Sequence, residues 1–270
     1  AIMACKITGI QSLGVMTDMP GLMVRFEREQ RLPWRTRIAT GIIKWCLNNF
    51  KKYVFLTEAM NVVNERKRPY IVMEGMSDRF MATYKRPFEA KDIKVVMYAG
   101  GLHERYGLKK LTEAFMMLPQ ENFRLKLFGS GPFVEKLKTK YTKKDSRIQY
   151  MGVAPNAEVV AAELDASLLV NPRPTHEEFT KYSFPSKNIE YMASGTPLLT
   201  TKLPGMPKEY YPYVFLIENE SVEGYAKALE SVLAQSDEEL YVFGEKAKDF
   251  VLEKKNSFEQ AKRVIELIKL

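Results

Sequence analysis

From residue 93 onward the chain alternates between short apolar runs and longer amphipathic stretches. KVVMYAG (94–100), FRLKLFG (123–129), RIQYMG (147–152), SLLVNP (167–172), PLLTT (197–201) and YVFLIE (213–218) have the length and composition of buried strands. Between them LKKLTEAFMML (108–118), PFVEKLKTKY (132–141), NAEVVAAELDA (156–166) and residues 185–194 place apolar positions at helical spacing. Strands alternating with helices in this way predict a parallel sheet covered on both faces. Ligands then belong beyond the carboxyl ends of the strands. Three amphipathic stretches follow, at 221–235, 237–254 and 257–269, the first capped by Ser221 with Glu223 in its opening turn.

The first 90 residues are also α/β in pattern, but sparser. IMACKITG reads as a helix, and GIQSLGVMTDMP as a strand ending in a polar loop. KYVFLTEAM (52–60) and RPYIVMEG (68–75) read as two further strands with helix between them. Three strands make a poor doubly wound domain, and the chain opens on Ala within a helix-like stretch. The expected organisation is a partial α/β domain over 1–90 and a complete one over 91–255. The terminal helix, 256–270, could cross back to the first, and KRPFEAKD (85–92) serves as linker.

Composition narrows the partners. Apolar residues make up 46% of 270 and charged residues 27%, as in a globular protein. No apolar run approaches the roughly 18–20 residues that cross a bilayer. No secretory leader pattern is visible, so a cytoplasmic setting is expected. Cys5 and Cys46 form neither a disulfide framework nor a zinc spacing. The net charge of +8 favours an anionic partner: phosphates, a membrane surface or nucleic acid. No zinc-finger, RNP or KH pattern is present, so nucleic acid is not expected.

The candidate chemistry sits at the ends of the predicted strands. In SFPSKNIEYMASGTPLL (183–199), Ser183 or Ser186 can cap a short helix and Pro185 suits its first turn. Gly195 and Pro197 then stop it. Such a helix start can hold an anion. Lys187 and Glu190 share one face of it, either as a surface ion pair or as a cation and an acceptor facing a ligand. FGSGP (128–132) offers Gly129 and Gly131 for close backbone approach. It is two-thirds of a dinucleotide fingerprint, since Val134 stands where the third glycine belongs. YAGGLHERYG (98–107) offers Gly100, Gly101 and Arg105 around a second turn that could cradle a phosphate or simply connect. Neither His103 nor His176 has metal-ligand spacing, and no Asp-x-Asp triplet or Walker lysine loop occurs, so no metal is expected. Residues 25–52 carry eight Lys/Arg against two Glu, with Trp34, Trp45 and Phe50 interleaved. They fit either an anionic membrane surface or an ordinary helix whose aromatic face is core.

YAGGLHERYGLKKLTEAF, LFGSGP, RIQYMG, SLLVNP and SFPSKNIEYMASGTPLL, in this order and spacing, resemble the C-terminal half of family 4 glycosyltransferases. LPGMPKEY (203–210) further resembles members that build bacterial surface polysaccharides. The resemblance covers residues 93–218 well, and 52–92 and 219–270 more loosely. It implies the GT-B fold: a partial N-terminal acceptor-side Rossmann-like domain and a complete C-terminal one that grips a nucleotide sugar. It also implies retaining transfer, without metal or cofactor, from a UDP-sugar or GDP-sugar to a saccharide or lipid-linked saccharide.

Site residues follow from the resemblance position by position. Glu190 matches the glutamate that holds the ribose. The family's other glutamate, eight positions earlier, falls on Tyr182, and its arginine–lysine pair for the diphosphate falls on Gly101 and Tyr106. Arg105 and Lys187 are the candidate substitutes, with Gly100, Gly101, Gly131, Ser186 and the helix amides around them. Gly129, Met151, Gly152 and Val153 match positions beside the base and ribose. In TDMP, Thr17 and Asp18 occupy the loop of acceptor-side polar groups, where the family's frequent histidine is missing, and the first Rossmann strand would lie upstream. The expected catalytic residues are Asp18, Lys187 and Glu190. The alternatives are a nucleotide-sugar-binding module without turnover and a Rossmann oxidoreductase binding NAD at 128–134.

Overall fold

The structure is a computed structural model that describes residues 2–19 and 34–270. A short helix, α1 (Ile2–Thr8), leads into the strand β1 (Leu13–Met16). Helix α2 (Trp34–Leu47), strand β2 (Lys52–Phe55) and strand β3 (Tyr70–Val72) follow. The three strands form one parallel sheet in the order β1-β2-β3. Its core is small: Met16, Tyr53, Phe55 and Met60 are buried together, with Phe50 and Tyr182 packed against them. The strand expected over 52–60 ends at Phe55. The following Glu58–Val63 turns as a 3-10 helix that buries Met60.

The complete sheet contains β4 (Lys94–Ala99), β5 (Phe123–Phe128), β6 (Ile148–Gly152), β7 (Leu168–Asn171), β8 (Leu198–Thr201) and β9 (Phe215–Ile217). All its pairings are parallel, in the order β6-β5-β4-β7-β8-β9. The order reverses between β4 and β7, which opens a crevice beyond their carboxyl ends. The period-two alternation of β4 sends its side chains into two cores. Val96 and Tyr98 pack with α3 (Leu108–Met116) and α7 (Val222–Leu233), through residues such as Leu111, Phe115 and Leu229. Val95, Met97 and Ala99 pack on the other face with α5 (Asn156–Asp165), α6 (Ser186–Ser194) and α8 (Asp237–Lys254). The helix read over 132–141 begins as α4 (Phe133–Lys136), loosens into a π turn over Leu137–Tyr141, and ends at Thr142–Lys144. The strand read over 213–218 starts at Phe215, because Lys208–Tyr213, with Pro212 inside it, winds as a 3-10 helix.

The last helix, α9 (Ser257–Lys269), packs on the smaller sheet. Arg263 donates to the Val72 carbonyl at 2.7 Å, Gln260 to that of Gly75 at 2.9 Å, and Lys52 to that of Ile268 at 2.6 Å. Where α8 gives way to α9, the chain meets the passage from β3 to β4. There Lys255, nearly fully buried, lies 2.6 Å from both Glu74 and Glu209, and Tyr210 donates to Glu74 at 2.6 Å. The Ser77 amide donates to the Lys255 carbonyl at 2.8 Å, and the Ser77 hydroxyl to that of Val251 at 2.8 Å.

Of the basic aromatic stretch 25–52, residues 25–33 and the side chain of Trp34 lie outside what is described. Phe50 packs into the small core, whereas Trp45, Ile38, Ile42 and Ile43 are exposed. Among the described residues no helix is long and apolar enough to cross a membrane.

Candidate active site

Three glycine-bearing turns meet at the carboxyl ends of β4, β5 and β6. The Gly100 amide donates to the Phe128 carbonyl at 3.1 Å, and the Gly129 amide to that of Gly152 at 2.7 Å. Gly129 has φ +125°, and a Cβ there would stand 1.9 Å from the Gly100 carbonyl oxygen. At Gly131, φ is +150° and the Leu102 carbonyl would be 2.4 Å from a Cβ. Both glycines let the β5 turn lie directly on the β4 turn. Gly107, with φ +84°, lies as closely on Pro172 at the end of β7, so the whole β4 loop is seated on its neighbours. Gly152 has φ +77° and open space before it; Met151 and Val153 beside it are exposed.

Helix α6 approaches this rim from the opposite side of the crevice. Its cap differs from the sequence expectation. Pro185 is the N-cap residue rather than part of the first turn, and neither Ser183 nor Ser186 accepts a bond from the helix amides. Proline's ring fixes φ near −68° and its ψ of 113° is extended, so the helix starts one residue later with no side chain over its first turn. Gly195, at φ +79°, ends it as expected. The helix is locked to the end of β4 by Tyr191, which is fully buried. Its hydroxyl donates to the Ala99 carbonyl at 3.0 Å and accepts from the Ala99 amide at 2.7 Å.

On this helix Lys187 donates to Glu190 at 2.7 Å and reaches Glu163 of α5 at 3.5 Å. Glu163 is completely buried, and its Oε2 has no hydrogen-bond partner. Burial and then the nearby Glu190 charge push its pKa up to about 7, against the pull of Lys187. Glu163 belongs to the site although no reading of the sequence picked it out. The signal was there, because it shares the buried face of α5 with Val159 and Val160.

In the loop past β4, Arg105 lies 5.2 Å from the Tyr106 ring and 5.7 Å from Phe179. Arg173, just past β7, faces the same two rings at 4.7 and 5.8 Å and was also missed. Tyr182 is half-buried against the core of the smaller sheet, where Met19 also packs, and Thr57 donates to the Lys181 carbonyl at 2.8 Å. The loop carrying Asp18 and the loop leading to α6 thus rest on one cluster. Asp18 itself is exposed and, among the described residues, makes no hydrogen bond or ion pair with Lys187 or Glu190. Among the described residues no group of three or more His, Cys, Asp and Glu is placed to hold a metal ion.

Two parallel sheets with a strand-end crevice on the larger one are the architecture of GT-B glycosyltransferases, and solved structures of that fold superimpose on the chain. Sucrose-phosphate synthase from Thermosynechococcus elongatus matches with a TM-score of 0.71 at 18% identity, over 98% of this chain and 70% of its own. TarM of S. aureus matches at 0.70 and 16%, over 96% of this chain and 50% of its own. HepE from Anabaena, solved with UDP and glucose, matches at 0.69 and 13%, over 99% and 74%. No curated protein matches the chain in sequence. The sequence pattern of the glycosyl transferases group 1 family matches residues 82–268, and the chain belongs to that family.

Proposed function

We propose that this chain binds a nucleoside-diphosphate sugar in the β4/β7 crevice and transfers the sugar to a saccharide or lipid-linked saccharide, in the assembly of a bacterial surface glycan. The observation that carries this reading is that the Gly100–Gly101 turn, with the Gly129 turn seated on it, leaves the end of β4 to which Tyr191 ties α6, the helix of Lys187 and Glu190. Backbone that can approach a ligand closely, uncapped helix amides and a cation suit a diphosphate, while Glu190 suits ribose hydroxyls. UDP and glucose bound to HepE support the same donor chemistry.

In the reaction the bond from the anomeric carbon to the diphosphate oxygen breaks, and charge grows on the departing nucleoside diphosphate. Aimed amides and cations stabilise that charge without needing to reorganise. The acceptor oxygen bonds to the same face of the anomeric carbon, giving retention, and its proton passes to the departing diphosphate. Asp18, on the loop after β1, orients the acceptor from the smaller sheet. The exposed Ile38, Ile42, Ile43 and Trp45 of α2 support peripheral contact with the inner face of a membrane, as a lipid-linked acceptor would require.

Calorimetric titration with UDP, GDP and NAD, alongside Glu190→Ala, tests the donor site. Binding of one nucleoside diphosphate, weakened about tenfold by the substitution, is expected. Binding of NAD alone would sink the reading. NMR of the product's anomeric centre tests retention.

A further inference from the structure

Each cation near the crevice is either committed to a carboxylate or it is not. Lys187 is committed: Glu190 holds it at 2.7 Å and Glu163 lies 3.5 Å away. Arg105 and Arg173 have no ion pair among the described residues. Their neighbours are the rings of Tyr106 and Phe179, and Arg105 also touches the Tyr106 hydroxyl at 3.4 Å. Arg173 is the less exposed of the two. Burial, with a smaller contribution from Arg105, holds its pKa below the ordinary arginine value. A guanidinium in that setting stays charged and costs free energy until an anion arrives.

The surroundings fix where Arg173 stands. It follows Pro172 directly, and Pro172 is the residue on which Gly107 of the β4 loop sits. Tyr225 donates to the Pro172 carbonyl at 2.8 Å. Two residues on, the Thr175 amide donates to both oxygens of Glu220, at 3.1 and 3.0 Å. The loop is therefore pinned on both sides of the arginine. Tyr106 and Phe179 then flank the guanidinium, and a guanidinium so flanked can meet two phosphate oxygens at once.

We propose that Arg173, seconded by Arg105, is the principal cation for the donor's diphosphate, in place of the committed Lys187. The inference rests on the donor-site reading above. It makes the β7 loop, rather than the β4 loop alone, the phosphate-binding element of this chain. The diphosphate crosses the end of β4, with Lys187 and Glu190 on the α6 side and the two arginines on the α3 side.

The test compares UDP with uridine, and GDP with guanosine, by calorimetry on the parent chain and on Arg173→Ala, Arg173→Lys and Arg105→Ala. Arg173→Ala should weaken the diphosphate that binds by roughly 10- to 100-fold and the nucleoside by less than about twofold. Arg173→Lys should recover part of the loss, and Arg105→Ala should lose less than Arg173→Ala. Thermal melting supplies a readout that a structural role would reverse: without ligand, Arg173→Met should melt no lower than the parent. Equal loss of diphosphate and nucleoside, unchanged diphosphate binding, loss confined to Arg105→Ala, or a clearly lower melting temperature of Arg173→Met each overturns the proposal. If the parent binds neither UDP nor GDP, the donor-site reading falls first and this inference falls with it.

Discussion

Glu163 meets Lys187 at 3.5 Å through one carboxylate oxygen, while the other, buried, has no partner. With its pKa raised from 4.5 to about 7, the folded protein holds a proton on this group that the unfolded chain has released. The native state therefore binds more protons between those values, and stability falls as pH rises through that interval. The full cost, present above pH 7, is on the order of 3 kcal/mol. Thermal melts from pH 5 to 8.5 should show Glu163→Gln flattening this slope and melting above the parent at the alkaline end. A variant with the parent's slope would show that Glu163 does not titrate there.

The same ionisation adds a negative charge beside Lys187, so diphosphate affinity should drop between pH 6 and 8. Glu163→Gln should remove most of that drop. Titrations at both pH values on parent and variant measure it, and a parent affinity independent of pH would contradict it.

Gly129 allows no side chain. A methyl group would lie 1.9 Å from the Gly100 carbonyl oxygen, on backbone already at φ +125°. Gly129→Ala should destabilise the fold by about 2–4 kcal/mol and displace the β4 turn, so that nucleotide binding is lost as well. Urea unfolding and calorimetry report the two effects. A stable variant that binds normally would mean the two turns need not touch.

Tyr191 satisfies both backbone groups of Ala99 with one hydroxyl. Tyr191→Phe strands a buried amide at the end of β4, at about 1–3 kcal/mol. Because that strand end leads directly into Gly100, the loss should also loosen the donor turn, visible as faster amide exchange at residues 100–102.

Lys255 answers two carboxylates, Glu74 and Glu209, with Tyr210 donating to the first. Removing only the cation leaves Glu74 charged and enclosed. Lys255→Met should cost about 3–5 kcal/mol in chemical denaturation, and adding Glu74→Gln should recover a large part. Strict additivity of the two changes would show that they do not form one unit.

The alternation of apolar runs and amphipathic stretches after residue 93 carried most of the fold. Strand positions came within a residue or two because a doubly covered strand needs a continuous apolar run, which few other elements share. Errors fell where local turn chemistry competes with that signal. The strand read over 52–60 runs into a 3-10 helix from Glu58, and the one read over 213–218 begins with Tyr213, the last residue of another 3-10 helix. Pro185 read as helical and sits outside the helix. The glycine turns and the Lys187–Glu190 pair were legible because their spacing is local. Arg173 was not, since nothing near it in sequence reveals that Tyr106, far earlier in the chain, supplies its ring. Lys255 lies in a charged run that resembles ordinary surface, and only the fold brings Glu74 to it.

The two passages between the sheets, one after β3 and one between α8 and α9, run side by side and are fastened by the Ser77 amide on the Lys255 carbonyl. Two fastened strands share one pivot line. Rotation about that line would part Thr57 from Lys181 across the crevice and leave the fastening intact, whereas sliding one sheet past the other would have to break the fastening first. The architecture thus separates a cheap motion from an expensive one, and the cheap one would widen the gap between the two sheets at Thr57.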